Sequence, residues 1–369
     1  MNSLPNASPI TIGFYVHHHG SGHIMTALTI ARALNGFSIC FLGSNLKPYS
    51  DLIPAEIACI HLPMDLPEEE DILLPEKPLS YLHYSPIGIA GIRERTAMLS
   101  KAFEQNYPML LIVDVSIEVT LLARLCGIPA IVIKQHGRRD DLPHLLAYES
   151  AELLIAPFSK SMAPSFEADW VSKKTVYTGG FSKYSHRKND AVNLEEEHTV
   201  GILIGQGGTS IDYEFILWLA ASCKKYTFQV IGHISPIGLP EADNIKWHGK
   251  VVDPAGILSH CTVVIGNAGH NTVMEMADLN KRFICIPEER PFAEQQQKAE
   301  ALAINGHAKV ISPAELKLVN WPEELATAEQ KEPYWMGVNN KDALQIIAAT
   351  IKETAMRNFN SYQFTPKSF

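Results

Sequence analysis

The sequence predicts an α/β protein built from two doubly wound, Rossmann-like domains that face a central cleft. Three observations carry that expectation. Short apolar runs alternate with helical-looking segments along the chain. The runs are near-continuous rather than alternating, as in strands buried on both faces of a parallel sheet. A polar, charged stretch without apolar periodicity, 182–198, separates two units of similar size.

In chain order, Ile10–Val16 reads as a strand and Met25–Leu34 as a helix opening after a glycine-rich turn. Phe37–Leu42 is the next strand, and Met109–Val113 an almost unbroken apolar one. A helix follows around Val119–Leu125, then a strand at Ala130–Ile133. Between them Leu62–Tyr84 breaks the rhythm, with Pro63, Pro67, Pro75, Pro78 and the acidic run Glu68–Asp71. A loop of that length is a lid, a binding loop or a solvated excursion. After the linker, strands are expected at Val200–Ile204, Thr227–Ile231, Val263–Ile265 and Phe283–Ile286. Helices are expected at Asp212–Ser222, Thr272–Ala277, Glu294–Ile304 and Lys341–Thr354. The expected division is 1–181, linker 182–198 and 199–337, with a last helix at about 338–360.

The composition limits what the protein can be. With 31 Lys and Arg against 40 Asp and Glu, the formal charge of the 369 residues is −9. That argues against broad binding to nucleic acid, though not against a small basic pocket for a phosphorylated ligand. No apolar run reaches the length of a bilayer span. Met1–Pro9 holds no Lys or Arg, so no secretory signal is read and a cytoplasmic protein is expected. The six cysteines form no CxxC pair, which suits free, buried thiols in a reducing compartment.

Three segments carry chemistry. His17-His18-His19-Gly20-Ser21-Gly22-His23 joins the first strand to the first helix, whose free N–H groups favour an anion. It lacks the third glycine of the dinucleotide fingerprint. His19 and His23 span a glycine turn, which is a poor metal site; a neutral imidazole on a cleft loop suits general-base work. Gly205-Gln206-Gly207-Gly208-Thr209 repeats the plan in the second half, without the Lys-Ser/Thr of a P-loop. The third segment runs Asn267-Ala268-Gly269-His270-Asn271-Thr272-Val273-Met274-Glu275. There the strand ends at Gly266, and Asn271 and Thr272 stand as N-cap residue types at a helix start that can hold a diphosphate. Glu275, one turn on, can accept hydrogen bonds from two vicinal hydroxyls. Downstream, Glu294-Gln295-Gln296-Gln297 opens a helix with groups suited to sugar hydroxyls.

The pattern Asn267-x-Gly269-x-Asn271-Thr272-x-x-Glu275, followed by Pro291-Phe292-Ala293-Glu294-Gln295, resembles the donor-binding signature of GT-B glycosyltransferases. It is similar to both the family 28 (MurG-like) enzymes and the family 1 UDP-glycosyltransferases. The turn from His19 to Leu34 resembles the N-terminal glycine-rich turn of family 28. Val251-Val252-Asp253-Pro254 resembles the segment that packs the nucleotide base. Two departures stand out: Asn267 replaces the usual Ser or His, and Lys298 precedes Ala299 where family 28 often has Asn.

The resemblance implies roles. Gly20, Ser21 and Gly22 form the first phosphate loop, and Gly207 and Gly208 line the phosphates. Asn267, Gly269, His270, Asn271 and Thr272 surround the diphosphate, Glu275 holds the ribose and Val251 the base. Glu294 and Gln295 meet the donor sugar. His23 matches the base of several members, and Asp114 the acid that orients it. The final helix is expected to return to the first domain.

The implied activity is transfer of a sugar from a nucleoside-diphosphate sugar, UDP-linked by preference, to an acceptor hydroxyl. No metal and no cofactor is expected. The acceptor, a small molecule, a glycan or a lipid-linked sugar, would be chosen by Leu62–Tyr84 and by Gln135–His144, which holds Arg138, Arg139, Asp140 and Asp141. A lipid-linked acceptor implies peripheral membrane contact, for which no basic apolar face is evident in the sequence. Two other classes share the fold: a nucleotide-sugar epimerase or hydrolase, and a non-catalytic nucleotide-sugar binding protein.

Overall fold

The computed structural model describes residues 10–18, 22–72, 79–185, 194–205, 207–232, 234 and 242–359. The first half runs β1 (Thr11–Tyr15), α1 (Gly22–Arg32), β2 (Ser38–Gly43), β3 (Ala58–His61), α2 (Ala90–Gln105), β4 (Met109–Asp114), α3 (Ile117–Leu125), β5 (Ala130–Ile133), α4 (Leu142–Ser150), β6 (Leu153–Ala156), α5 (Asp169–Lys174) and β7 (Thr175–Tyr177). Its strands form one parallel sheet in the order β3-β2-β1-β4-β5-β6-β7.

The second half runs β8 (Glu196–Ile204), α6 (Tyr213–Ser222), β9 (Thr227–Gly232), β10 (Ile245–Gly249), α7 (Ala255–Leu258), β11 (Cys261–Asn267), α8 (His270–Asp278), β12 (Arg282–Ile286), α9 (Glu294–Ile304), β13 (Lys309–Val310) and α10 (Trp321–Gln330). Its parallel sheet has the order β10-β9-β8-β11-β12-β13. The chain then ends its described course in α11 (Ala343–Phe359).

Each sheet is covered on both faces, which explains the unbroken apolar strands. On the first sheet one face buries Ile12, Phe14 and Ile112 against Leu28 and Ile30 of α1 and Leu344, Ile347 and Ile351 of α11. Each such side chain contributes about 1.5–3 kcal/mol on burial, enough to fasten the last helix to the first half. The other face meets Leu99 and Phe103 of α2, Ala123 of α3 and Tyr148 of α4. In the second half, Phe215 of α6 and Trp321 of α10 close one face, and Met274 of α8 and Leu302 of α9 the other. Local signals start the helices: Ser116, Asp141 and Asp212 accept the amide hydrogens of Val119, His144 and Phe215.

Both sheets reverse strand order beside their first strand, at β1/β4 and β8/β11. Ligands bind outside the carboxyl ends of the strands at such points. Register pairs Tyr15 with Val113 and Leu203 with Gly266, so the turns leaving each strand pair start level.

Three sequence expectations are corrected. The cap of α8 is Gly269, extended at φ −60° and ψ 145°, and Asn271 and Thr272 already lie in the helix. Strand β11 runs one residue past Gly266 because Asn267 pairs with Ile286. Residues 182–185 are docked rather than linking: Ser182 and Ser185 hydroxyls donate to Asp278 at 2.6 and 2.8 Å, and β8 already begins at Glu196. The expected linker residues 186–193 lie outside the described residues. Of the cysteines, all six are free, but Cys126 is exposed and Cys59 only half-buried.

Candidate active site

The first half contributes a histidine–carboxylate pair. His23 is the second residue of α1, and its Nδ1–H donates to Asp114 Oδ2 at 2.6 Å. This leaves Nε2 as the basic nitrogen. Gln135, just beyond β5, donates to the other carboxylate oxygen at 3.1 Å. Burial opposes the charged imidazole, yet the Asp114 carboxylate outweighs it and holds the His23 pKa above the ordinary 6.5. Burial also opposes the Asp114 charge, but His23 and Gln135 hold its carboxyl below the usual range. Asp114 closes β4, and the next residue, Val115, is forced to φ 67°. A β-branched residue there is strained, and strain of this kind collects at functional sites. Of the first phosphate loop, Gly22 lines the cavity described next, whereas His19, Gly20 and Ser21 lie outside the described residues.

The second half opens a cavity of about 400 Å³ at the carboxyl ends of β8 and β11. Gly207, Gly208, Val251, Asn267, Gly269, Thr272 and Gln295 line it, and Gly22 reaches it from the first half. The structure therefore gathers eight of the residues singled out from sequence around one space. His270, Asn271, Glu275 and Glu294 stand next to it without forming its wall. Asn271 approaches Gly22 across the cleft, its amide nitrogen 3.6 Å from where a Cβ would stand.

Glu275 is half-buried and lies 3.4 Å from the Lys183 ammonium; burial raises its carboxyl pKa and Lys183 opposes the rise. Glu294 opens α9. Burial raises its pKa, but Lys298, Arg139 and His270 bring the net value below the usual range. Lys298 is fully buried with its ammonium 3.4 Å from Glu294. His270 begins α8; burial and Lys298 push it down to about 3, so it is a neutral imidazole.

Asn267 does not offer its amide to a ligand. Its Nδ2 donates to the Ile286 carbonyl at 3.1 Å and to Glu288 Oε1 at 3.0 Å. Glu288 also accepts from Thr209 Oγ1, Ser210 N and Ser210 Oγ, while its own N–H donates to Gln295. The buried Glu288 carboxylate fixes the glycine turn to β11, and the residue's backbone N–H ties both to α9.

Sequence reasoning missed Glu288 and the cations of the cavity, Lys183, Lys250 and Arg290. Arg290 donates to the carbonyls of Gly207 and Gly208 at 2.7 and 2.6 Å, crossing the cavity edge. Arg290 sits inside the segment that precedes Glu294, and Lys250 adjoins Val251, so both lie within the signature segments. Lys183 was hidden in a stretch read as linker.

Among the described residues one group has metal-ligand chemistry, His83, Asp141 and His144. His144 Nδ1 and His83 Nε2 donate to Asp141 at 2.5 and 2.8 Å, and the Arg139 guanidinium donates to His144 Nε2 at 3.0 Å. The nitrogen facing the carboxylate thus carries the proton, and a guanidinium stands alongside. That donor set does not suit a cation.

Two doubly wound sheets with a cavity at their facing switch points define the GT-B class. Solved structures agree: the glycotransferase of kitacinnamycin at TM-score 0.63 and 15% identity, over 95% of this chain and 98% of that one. MurG of Acinetobacter baumannii gives 0.61 at 15% identity, over 94% and 100%.

The model of the glycosyltransferase family 28 C-terminal domain matches residues 250–353. Two relatives are named UDP-N-acetylglucosamine–N-acetylmuramyl-(pentapeptide) pyrophosphoryl-undecaprenol N-acetylglucosamine transferase. That of Clostridioides difficile (strain 630) is 32% identical over 160 residues, 42% of this chain and 34% of the relative. The chain thus spans about a third of that relative. That of Pasteurella multocida (strain Pm70) is 23% identical over 353 residues, 89% of this chain and 92% of the relative. Together these findings show a GT-B fold whose second half is similar to the family 28 C-terminal domain. No described helix is long and apolar enough to cross a membrane.

Proposed function

We propose that this protein transfers a sugar from a UDP-sugar to an acceptor hydroxyl, with His23 as the base and without a metal ion. The observation that carries the reading is the cavity at the β8/β11 switch point, whose wall includes Gly22, next to His23. A donor seated there has its diphosphate over the start of α8 and its ribose toward Glu275. Charge growing on the leaving diphosphate meets Lys183, Lys250, Arg290 and the N-terminal amides of α8. His23 Nε2 takes the proton of the acceptor hydroxyl as its oxygen attacks the anomeric carbon, and the sugar–phosphate bond breaks with its electron pair leaving on UDP. Asp114 keeps the ring oriented and stabilises the imidazolium. Asn267 acts through Glu288, holding the loop rather than touching phosphate. Enclosure between the halves limits loss of donor to water.

An acceptor unit of residues 1–181 and a donor unit of 199–337 are part of the same proposal. The relatives' names point to a UDP-linked donor and a lipid-linked acceptor. Between β3 and α2 the described residues Leu66, Ile72, Tyr81 and Ile87 are exposed, and such apolar side chains suit a lipid-linked acceptor presented at a cytoplasmic membrane face.

A thermal-shift screen against UDP, GDP, TDP, CMP and ADP, with and without magnesium, tests the reading. UDP at a hundredfold its dissociation constant adds about 2.7 kcal/mol of stability. A selective shift with UDP, indifferent to magnesium, is expected. A shift with none of the five overturns the proposal.

A further inference from the structure

The segment between Glu288 and α9 does more than deliver Glu294 and Gln295 to the cavity. Phe292 and Ala293 sit consecutively in the left-handed region, at φ 60° and 53°. Two adjacent residues with side chains hold that conformation only where surrounding contacts impose it.

The contacts come from the other half of the molecule. The Phe292 ring centroid lies 4.8 Å from that of His83 and 4.7 Å from that of His144, edge-on to the latter. The Arg139 guanidinium covers the ring at 5.0 Å. The Arg138 amide donates to the Phe292 carbonyl at 2.6 Å. Gly137 permits that approach: at φ 113°, a Cβ there would stand 2.7 Å from the same oxygen.

The socket is braced from behind. Asp141, the cap of α4, accepts from both imidazoles, and Arg139 donates to His144. Burial and Arg139 lower His144 to about 4, so its ring is neutral and apolar enough to receive a phenyl edge. A carboxylate thus holds the two rings against each other, 4.6 Å between centroids, and the phenylalanine packs against both. The ring does not reach the cavity wall.

We propose that Phe292 is a positioning residue: seated in the His83–Arg139–His144 socket, it fixes Glu294 and Gln295 against His23 and so sets where the donor sugar sits. Its place in the chain makes this direct, since Glu294 follows two residues later and opens α9. Arg139 covers the ring, and its charge also lowers the Glu294 carboxyl pKa, linking socket and sugar site. UDP itself is held elsewhere, by the Gly207–Gly208 turn, α8 and Glu275. The inference rests on the proposed function and adds to it a residue that tunes the sugar and spares the nucleotide.

The test is calorimetric titration of UDP and of UDP-N-acetylglucosamine into wild type, Phe292→Ala, His83→Ala, the double variant and Phe292→Tyr, with donor turnover followed as UDP release. Phe292→Ala should keep the wild-type affinity for UDP, lose the ratio of sugar-nucleotide to UDP affinity and turn over about tenfold to a hundredfold more slowly. Phe292→Tyr should restore the ratio. Because both side chains serve one contact, the double variant should be no worse than the worse single one. A wild-type ratio and turnover in Phe292→Ala, or additive losses in the double variant, would overturn the positioning role alone. Failure of the wild type to bind UDP would overturn the donor reading, and this role with it.

Discussion

The two halves share a plan and use it differently. Each opens with a strand, a glycine-rich turn and a helix, at a point where strand order reverses. In the second half the groups around the cavity lie close together in sequence: nine residues span Asn267 to Glu275, and one residue, Glu288, ties the turn and β11 through its carboxylate and α9 through its backbone N–H. In the first half the chemistry is assembled from afar. His23 meets Asp114 across 91 positions, and His83 meets Asp141 across 58. A nucleotide can be held by a local motif, because backbone amides at one helix start supply most of what a diphosphate needs. A base and its orienting acid must converge on a point in space, and the sheet brings them there.

That contrast predicts a division of labour, and variants can break it. The largest effect belongs to His23→Ala, which should slow transfer by about 10²–10⁴-fold while leaving UDP affinity intact. Its partner sharpens the point through pH. As base, His23 must be neutral, and Asp114 raises its pKa, so the acid limb of turnover should lie above 6.5. Asp114→Asn removes the raising charge and leaves burial, which should move that limb to lower pH and lower the plateau; an unmoved limb would remove His23 from the chemistry. Next comes Glu275→Ala, which should weaken UDP by about 1–3 kcal/mol, the cost of losing hydrogen bonds to a charged group. The smallest effect is Gly208→Ala. At φ 80° any side chain is strained even though nothing lies within 4 Å, and UDP binding or thermal stability should fall by about 1 kcal/mol.

Much of this was legible in the sequence, for reasons that follow from the same contrast. Strands with unbroken apolar runs, such as Met109–Asp114, and helices with caps, such as α6 behind Asp212, announce themselves locally. Short peripheral elements did not: β3 is partly exposed and β13 has two residues, so neither carries an apolar run. Helix α2 gives a weak sequence signal because its core face is thin, with Leu99, Ala102 and Phe103 beside a buried Arg95 that pairs with Asp65. In the site, the signature named residues by position but not by what they touch. Asn267 reads as a phosphate ligand, yet its amide is spent on Glu288. The importance of Glu288 itself is invisible without the fold, since its donors come from 79 positions upstream as well as from nearby. Lys183 shows the reverse error, a charged residue in a polar stretch that the fold turns toward Glu275.

The central claim is that the second half holds the nucleotide and the first half does the proton chemistry. Titration of UDP into wild type, His23→Ala and Glu275→Ala, in the presence of a chelator, tests it most directly. The account predicts equal, metal-free binding by wild type and His23→Ala, and binding by Glu275→Ala weaker by about fivefold to a hundredfold. Equal affinity for all three, or no binding by the wild type without metal, would contradict it.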